Sequence, residues 1–306
     1  MVKVVSPFAF CLFLTSWACS GSGGVSGTAG TAGGSNVPSS GGSGGSSGTA
    51  EYLQVTVGQR HSCGLKTDGR VVCWGYNGGG QTIPPTGTFS EIEAGLSHTC
   101  GVRTDGSVAC WGFDSNREIF PPSGSFAHVS AGGAQSCGLA AGGSVVCWGY
   151  NVDGRAPAAP TGAYSQVEAG GIDTCAIRKD GTLACWGDLG PSQPSADTFT
   201  QISLAPGSDW SCGLRSDRTL YCWGTDVTAP EPPGEFSHVS AGNWHACALK
   251  SDGTAVCWGD NTDGKATPPA GSFAQIAAGG FLSCGLRPNK TIVCWGDTSD
   301  GATSPP

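Results

Sequence analysis

Residues 61–75 read HSCGLKTDGRVVCWG, and degenerate copies of that stretch return six more times before the chain ends. Cys63 and Cys73 stand ten apart, as do Cys100/Cys110, Cys137/Cys147, Cys175/Cys185, Cys212/Cys222, Cys247/Cys257 and Cys284/Cys294. Trp-Gly follows each second Cys, at Trp74, Trp111, Trp148, Trp186, Trp223, Trp258 and Trp295. A Gly precedes each first Cys by five, at Gly58, Gly95, Gly132, Gly170, Gly207, Gly242 and Gly279. An aromatic stands eleven before it at Tyr52, Phe89, Phe126, Tyr164, Phe236 and Phe273. Phe199 is displaced by two, which predicts a local insertion around Ser203–Pro206 in the fifth unit. Self-similarity at a period of about 37 residues is the mark of a propeller or solenoid.

Each unit contains a hairpin. Asp68-Gly69 lies between two short apolar runs, and Asp105-Gly106, Asp180-Gly181 and Asp252-Gly253 repeat it; this dipeptide supports the tight turns that join antiparallel strands. A turn there sets Cys63 opposite Cys73 and Leu65 opposite Val71. Facing residues of a non-hydrogen-bonded pair have Cα atoms about 4.5 Å apart, within reach of a disulfide. Each unit is therefore expected to close its own bridge, all fourteen repeat cysteines being oxidised. One face of the hairpin carries Cys and aliphatic residues; the other sets small residues such as Ser62 and Gly64 against Val72 and Trp74. A sheet that is apolar on both faces is buried on both, as a blade is between its neighbours. The expectation is all-β: one closed seven-bladed β-propeller over 51–306, with strand 52–57 beside the last unit near Ile292–Trp295.

Composition agrees. Gly is 52 of 306 residues, charged residues are 12%, and the formal net charge is −8. So few charged helix formers argue against a helical protein. Acidity without a basic cluster argues against a nucleic-acid partner, because attraction to phosphate supplies most of that affinity. Sixteen cysteines point to an oxidising compartment.

The first 19 residues, MVKVVSPFAFCLFLTSWAC, read as an export signal: Lys3, an apolar run over 8–14, then small residues before Cys19. Ser16-Trp17-Ala18-Cys19 resembles a bacterial lipobox, which implies lipidation of Cys19. Residues 20–50 are almost wholly Gly, Ser, Thr and Ala. Such a segment buries too little apolar area to offset its ordering entropy, so a tether is expected. By resemblance, Ser20 after the Cys sends a lipoprotein of this kind to the bacterial outer membrane or cell surface.

The units FAHVSAGGAQSCGLAAGGSVVCWG (126–149) and FSHVSAGNWHACALKSDGTAVCWG (236–259) resemble the regulator of chromosome condensation repeat. The resemblance covers 51–306 and implies a seven-bladed propeller. The short repeat with its Pro-containing outer turn is similar to bacterial members such as the propeller-type β-lactamase inhibitory proteins. The Cys pairs depart from the family, which usually has aliphatic residues there.

Fold does not carry function with it. Gly-x-Ser-x-Gly occurs only within the Gly/Ser tether, at 41–45 and 44–48, with no strand leading into it to make an elbow, and no other directional motif supports a site, so no enzyme and no catalytic residue is expected. Asn151–Gly154 and Asp260–Gly264 read as turns, since they lack the downstream Glu of a calcium loop. No metal or cofactor is expected, and His61, His98 and His245 read as repeat residues. Two functions remain: a protein-binding, possibly inhibitory, surface module, or a carbohydrate-binding module using Trp and polar loops. Guanine-nucleotide exchange is a more distant analogy from the family. A monomer is expected, touching the membrane only through its lipid. The most variable residues lie between the repeat Gly and the first Cys, and they should ring one end of the propeller. The candidate binding set is Arg60, Leu96, Ile172, Asp173, Asp209, Trp210, Trp244, Phe281 and Leu282, with Trp210 and Trp244 as anchors.

Overall fold

The structure is a computed structural model that describes residues 50–150, 159–171, 173–187, 197–225 and 229–306. The export signal, Cys19, nearly all of the tether, Ile172 and the 151–154 turn lie outside the described residues.

Every unit folds as one three-stranded antiparallel sheet of consecutive strands. In blade 1 the inner strand is Tyr52–Val57, the middle strand His61–Lys66 and the outer strand Val71–Gly75. Blade 2 repeats this with Phe89–Ala94, His98–Arg103 and Val108–Gly112. Blades 3 to 7 follow in chain order, ending on Ile292–Gly296. The inner strands of blades 6 and 7 are shorter, His238–Ala241 and Gln275–Ala278. The one helical element among the described residues is a 3-10 turn at Thr262–Gly264. The architecture is the expected seven-bladed propeller.

Cys63 pairs with Cys73 and Leu65 with Val71 across the hairpin. In the same way Cys100 faces Cys110, Cys137 faces Cys147, Cys175 faces Cys185, Cys212 faces Cys222, Cys247 faces Cys257 and Cys284 faces Cys294. All seven bridges form within their own blades. Their Cα atoms lie 4.0 Å apart, 4.1 Å for Cys175–Cys185.

Burial on both faces needs correction for the outer half of each bridge. The first Cys, on the middle strand, is fully buried in every blade. The second is only half-buried, at Cys73, Cys110, Cys147, Cys185, Cys222, Cys257 and Cys294 alike. The outer strand is the free edge of its sheet. It has a neighbour on one side alone, and the blades diverge as they leave the axis.

The core lies between blades. Cys63 and Leu65 of blade 1 pack on Phe89, Ile92 and Trp111 of blade 2. The small residues of the other face are matched to aromatics: a Cβ on Gly101 would stand 2.7 Å from the ring of Phe89. Several of the Trp-Gly indoles are tied down as well. Trp111 Nε1 donates to Gln81 O (3.0 Å), Trp148 to Glu118 O (2.8 Å) and Trp295 to Lys265 O (2.8 Å). In each case the acceptor lies in the loop leaving the preceding blade.

The inner strands splay around the axis, too far apart to form a backbone ladder, and side chains bridge them instead. The Gln54 amide donates to Ile92 O (2.8 Å) and accepts from Ile92 N (3.0 Å). Gln166 does the same to Ile202, and Gln201 to Val239. Two residues further along the strand, Thr56 and Ser130 accept from Ala94 N and Ala169 N, each at 2.9 Å.

The ring closes where expected. Val55 N donates to Gln275 Oε1 (2.9 Å), and Tyr52 packs with Leu286 and Ile292. The segment after the last strand completes the seam. Ala302 O accepts from both Trp74 Nε1 (2.7 Å) and Ser62 Oγ (3.1 Å), while Tyr52 Oη donates to Pro306 O (3.2 Å).

The insertion in the fifth unit also needs correction. Phe199 pairs with Arg215 as Phe89 pairs with Arg103, so the aromatic of blade 5 is in register. Ala205 N donates to Trp210 O just as Gly58 N donates to His61 O. The two extra residues therefore lie in the turn between Ala205 and Trp210. Ala205 takes the place of the repeat Gly, and Gly207 belongs to the insertion.

Candidate functional site

Inner strands run toward the Gly turns, middle strands run back, and outer strands return to the same end. The Gly turns and the loops after Trp-Gly therefore share one end, as the bond from Tyr76 N to Arg60 O illustrates (2.8 Å). The hairpin turns occupy the opposite end.

Around the axis the Gly turns bond to each other. Gln59 N donates to Leu96 O, Leu96 N to Gly132 O, Gly133 N to Gly170 O, Asn243 N to Gly279 O and Gly280 N to Gly58 O. Between the bonded turns there is no room for a side chain: a Cβ on Gly279 would lie 2.2 Å from Gly58 O. The mouth of the axis is covered by Leu96 and the blade 5 insertion. A Cβ on Gly207 would stand 2.5 Å from Leu96 Cδ1, across the ring, and one on Gly133 would stand 2.8 Å from Pro206 O.

The candidate binding residues separate into surface and core. Arg60 is exposed; its Nε is 3.0 Å from Asp300, and its guanidinium lies 5.7 Å from the centre of Phe281. Trp244 and Phe281 are half-buried and stack tilted at 6.1 Å. Lys265 Nζ lies 5.5 Å and 5.9 Å from their ring centres and 2.7 Å from Asp260. Asp209 accepts from Thr225 N (3.0 Å) and Oγ1 (2.7 Å). Trp210, Leu282 and Asp173, by contrast, are core residues. Trp210 is 0% exposed and belongs to a cluster with Ala246 and Trp258. A fully buried indole offers a partner no surface, so Trp210 is not an anchor.

The position Trp210 occupies explains this. Two residues before the first Cys, His61 Nε2 is bonded to Thr99 Oγ1 (2.8 Å), His98 to Ser136 Oγ (2.8 Å) and His245 to Ser283 Oγ (2.7 Å). The partner is always the residue just before the first Cys of the next blade. In blade 6 that residue is Ala246, which has no hydroxyl, and Trp210 fills the space with carbon. Burial lowers the imidazoles of His61 and His245 to about 3 and that of His98 to about 4.

Two features of the site were missed in the sequence. The first is a set of exposed aromatics after Trp-Gly: Tyr76 is 44% and Phe113 50% exposed. Beside Tyr76 a cavity of about 200 Å³ opens between blades 1 and 2, lined by Gln59, Arg60, His61, Gln81, Leu96 and Ser97. Blades 6 and 7 carry Asp260 and Asp297 in place of those aromatics. The alternation was visible in the sequence one residue beyond the Trp-Gly pair.

The second lies inside the axis. His128 Nδ1 donates to Glu91, while its Nε2 donates to Val167 O (2.9 Å) and lies 3.6 Å from Glu168. Burial opposes charging of His128, yet hydrogen bonds to Glu168 and Glu91 outweigh it and hold the imidazolium well above the usual histidine range. Burial raises Glu93. The small cavities here, about 80 and 30 Å³, suit water better than a ligand. Among the described residues no group of His, Cys, Asp and Glu is arranged to hold a metal ion.

Three of the seven units match the family model for the regulator of chromosome condensation (RCC1) repeat, over residues 53–81, 89–118 and 236–265. A search of curated proteins finds no match. Among solved structures, the chain is similar to the ectodomain of the Physcomitrella patens receptor kinase CR4. That likeness has 25% identity and a TM-score of 0.68, and covers 81% of this chain and 74% of that one. The ectodomain of the Arabidopsis thaliana receptor kinase ACR4 gives 27% and 0.68, covering 81% and 98%. Prp20p from Saccharomyces cerevisiae, described with its binding to Gsp1p and histones, gives 16% and 0.61, covering 82% and 84%. This last likeness shows the fold alone.

Proposed function

We propose that this chain is an exported β-propeller, lipid-anchored at Cys19, that binds another protein through its Gly-turn face. The observation that carries the reading is asymmetry on a repeated scaffold. Seven similar blades need similar packing residues, but their surface residues on this face differ. Tyr76 and Phe113 stand exposed over blades 1 and 2, next to a cavity of about 200 Å³. Large aromatics around a recess are typical of the anchors that dominate protein interfaces. The seven disulfides and the likeness to receptor ectodomains agree with an extracellular setting. An inhibitory role is what the resemblance to bacterial inhibitory propellers adds.

The carbohydrate reading loses its main support, because the Trp-Gly indoles pack between blades and Trp74, Trp111, Trp148 and Trp295 donate to loop carbonyls. The test is affinity capture with disulfide-intact 51–306 from the cell-surface fraction. The captured protein should be lost when Tyr76→Ala and Phe113→Ala are combined, and kept by Leu53→Ala, which changes an exposed residue at the other end. Full retention by the double variant would overturn the assignment of the face.

A further inference from the structure

The two ends of the propeller differ in charge. At the hairpin-turn end no turn carries more acid than base: Lys66 and Arg70 flank Asp68, Arg103 accompanies Asp105, and Arg287 and Lys290 have no acidic residue between them. Several are neutralised locally, as in the pairs Arg70–Asp68, Arg215–Asp197 and Lys290–Glu51. The Gly-turn end is the reverse. Among the described residues it carries Asp114, Asp209, Asp260, Asp263, Asp297 and Asp300, against Arg60, Arg117 and Lys265. Lys265 and Arg60 are already paired with Asp260 and Asp300. Among the described residues, acid thus outnumbers base on the face that also holds the exposed aromatics, while Glu91, Glu93 and Glu168 lie inside the axis.

The same face shows how its rings treat cations. Lys265 sits against Trp244 and Phe281, Arg60 against Phe281, and Arg117 lies 5.7 Å from the ring centre of Phe120. Aromatic faces attract ammonium and guanidinium groups through their quadrupole, and nearby carboxylates add to the attraction. Tyr76 and Phe113 present half-exposed rings of this kind to solvent.

We infer that the Gly-turn face takes a cationic protein segment, rich in Lys and Arg, whose side chains meet the aspartates and the rings of Tyr76 and Phe113. The inference rests on the protein-binding reading and adds the chemistry of the partner. Complementary charge speeds encounter and excludes wrong partners, so an acidic protein would be repelled from this end.

The test uses three fluorescent 15-residue peptides with one central Phe: one rich in Lys and Arg, one with Gln at each basic position, and one rich in Asp and Glu. Binding to disulfide-intact 51–306 is followed by anisotropy in low and moderate salt. The cationic peptide should bind at least about tenfold more tightly than the other two, and lose most of that advantage as salt shortens the screening length. Asp114→Asn with Asp263→Asn, both at exposed positions, should weaken it severalfold, whereas Asp68→Asn with Asp105→Asn at the other end should not. Equal binding of the Gln peptide, preference for the acidic one, or no binding of the cationic one in low salt would overturn the inference. The Tyr76→Ala/Phe113→Ala variant separates the two readings. If it weakens all peptides alike while charge makes no difference, the face stands and the cationic partner falls. If neither it nor the Asp variants change binding, both fall.

Discussion

The Nε2 of His61 lies 2.8 Å from Thr99 Oγ1, so a buried imidazole of one blade is bonded to a hydroxyl of the next. His98 and His245 repeat the arrangement with Ser136 and Ser283. These imidazoles are held neutral by burial, with pKa values lowered to about 3 or 4. In the unfolded chain they return to about 6.5. Below that value the unfolded state binds more protons than the folded one, so stability falls as pH falls from 6.5 toward 4. Each pH unit within that window removes up to about 1.4 kcal/mol per histidine. His128 acts in the opposite sense: its raised pKa contributes stability below 6.5 that is lost as pH rises through the folded value. Burial lowers His238 as well, and His128 is charged in both states below 6.5 and adds no slope there, so acid unfolding should begin in the mildly acidic range. Gln135 occupies the histidine position in blade 3 and bonds Gly170 O (3.0 Å). Changing His61, His98 and His245 to Gln should therefore flatten the dependence of melting temperature on pH between 6.5 and 4. An unchanged slope would contradict the assignment.

Trp210→Ala should destabilise the protein by about 3–5 kcal/mol, the usual cost of emptying a buried aromatic site, and denaturant melts read this directly. A variant that folds as well as the parent would show that the indole is not core. Trp244→Ala, on a half-buried ring beside Lys265, should cost less stability and more partner affinity.

Removing one hairpin bridge by Cys247→Ala with Cys257→Ala should lower stability by about 3 kcal/mol, the chain-entropy value for so short a loop, without unfolding the ring. Non-reducing peptide maps of the parent should show seven local links. A link between blades would refute the pairing.

Cys19→Ser should move the protein from the membrane fraction to the soluble one. A variant that remains with the membranes would remove the lipid anchor from the proposal.

The fold was legible because its determinants are local and repeated. Asp-Gly turns, Cys at matched hairpin positions and large residues facing small ones all sit within a few residues of each other, and seven copies average out the exceptions. The site is harder to read, because variability between repeats is not the same as exposure. Buried positions also vary when their neighbour varies with them. Trp210 stands where His61 stands in blade 1, and Ala246 stands where Thr99 offers a hydroxyl. Ala246, the one residue without a hydroxyl among those preceding the first Cys, was the available sign. The polar bridges from Gln54, Gln166 and Gln201 were hidden for another reason. A Gln on a strand reads as solvent-facing, and only the splay of inner strands around an axis gives it a neighbouring backbone to bond. The two-residue insertion shows in the spacing, but a spacing count fixes the length of an extra segment better than its position, and the turn after Ala205 holds it rather than the strand.

Each blade is made of consecutive strands, and the segment after the last strand bonds blade 1 as the loops leaving blades 1, 2 and 6 bond their successors: Ala302 O accepts from Trp74 as Gln81 O accepts from Trp111. The ring therefore has no privileged starting blade. A circular permutant with a short linker from Pro306 to Glu51, opened anew between Gly112 and Phe126, would retain all seven sheets. In such a chain the old seam becomes an ordinary connector, and a tether could be attached beside any chosen blade, turning a different sector of the Gly-turn face toward whatever surface holds it.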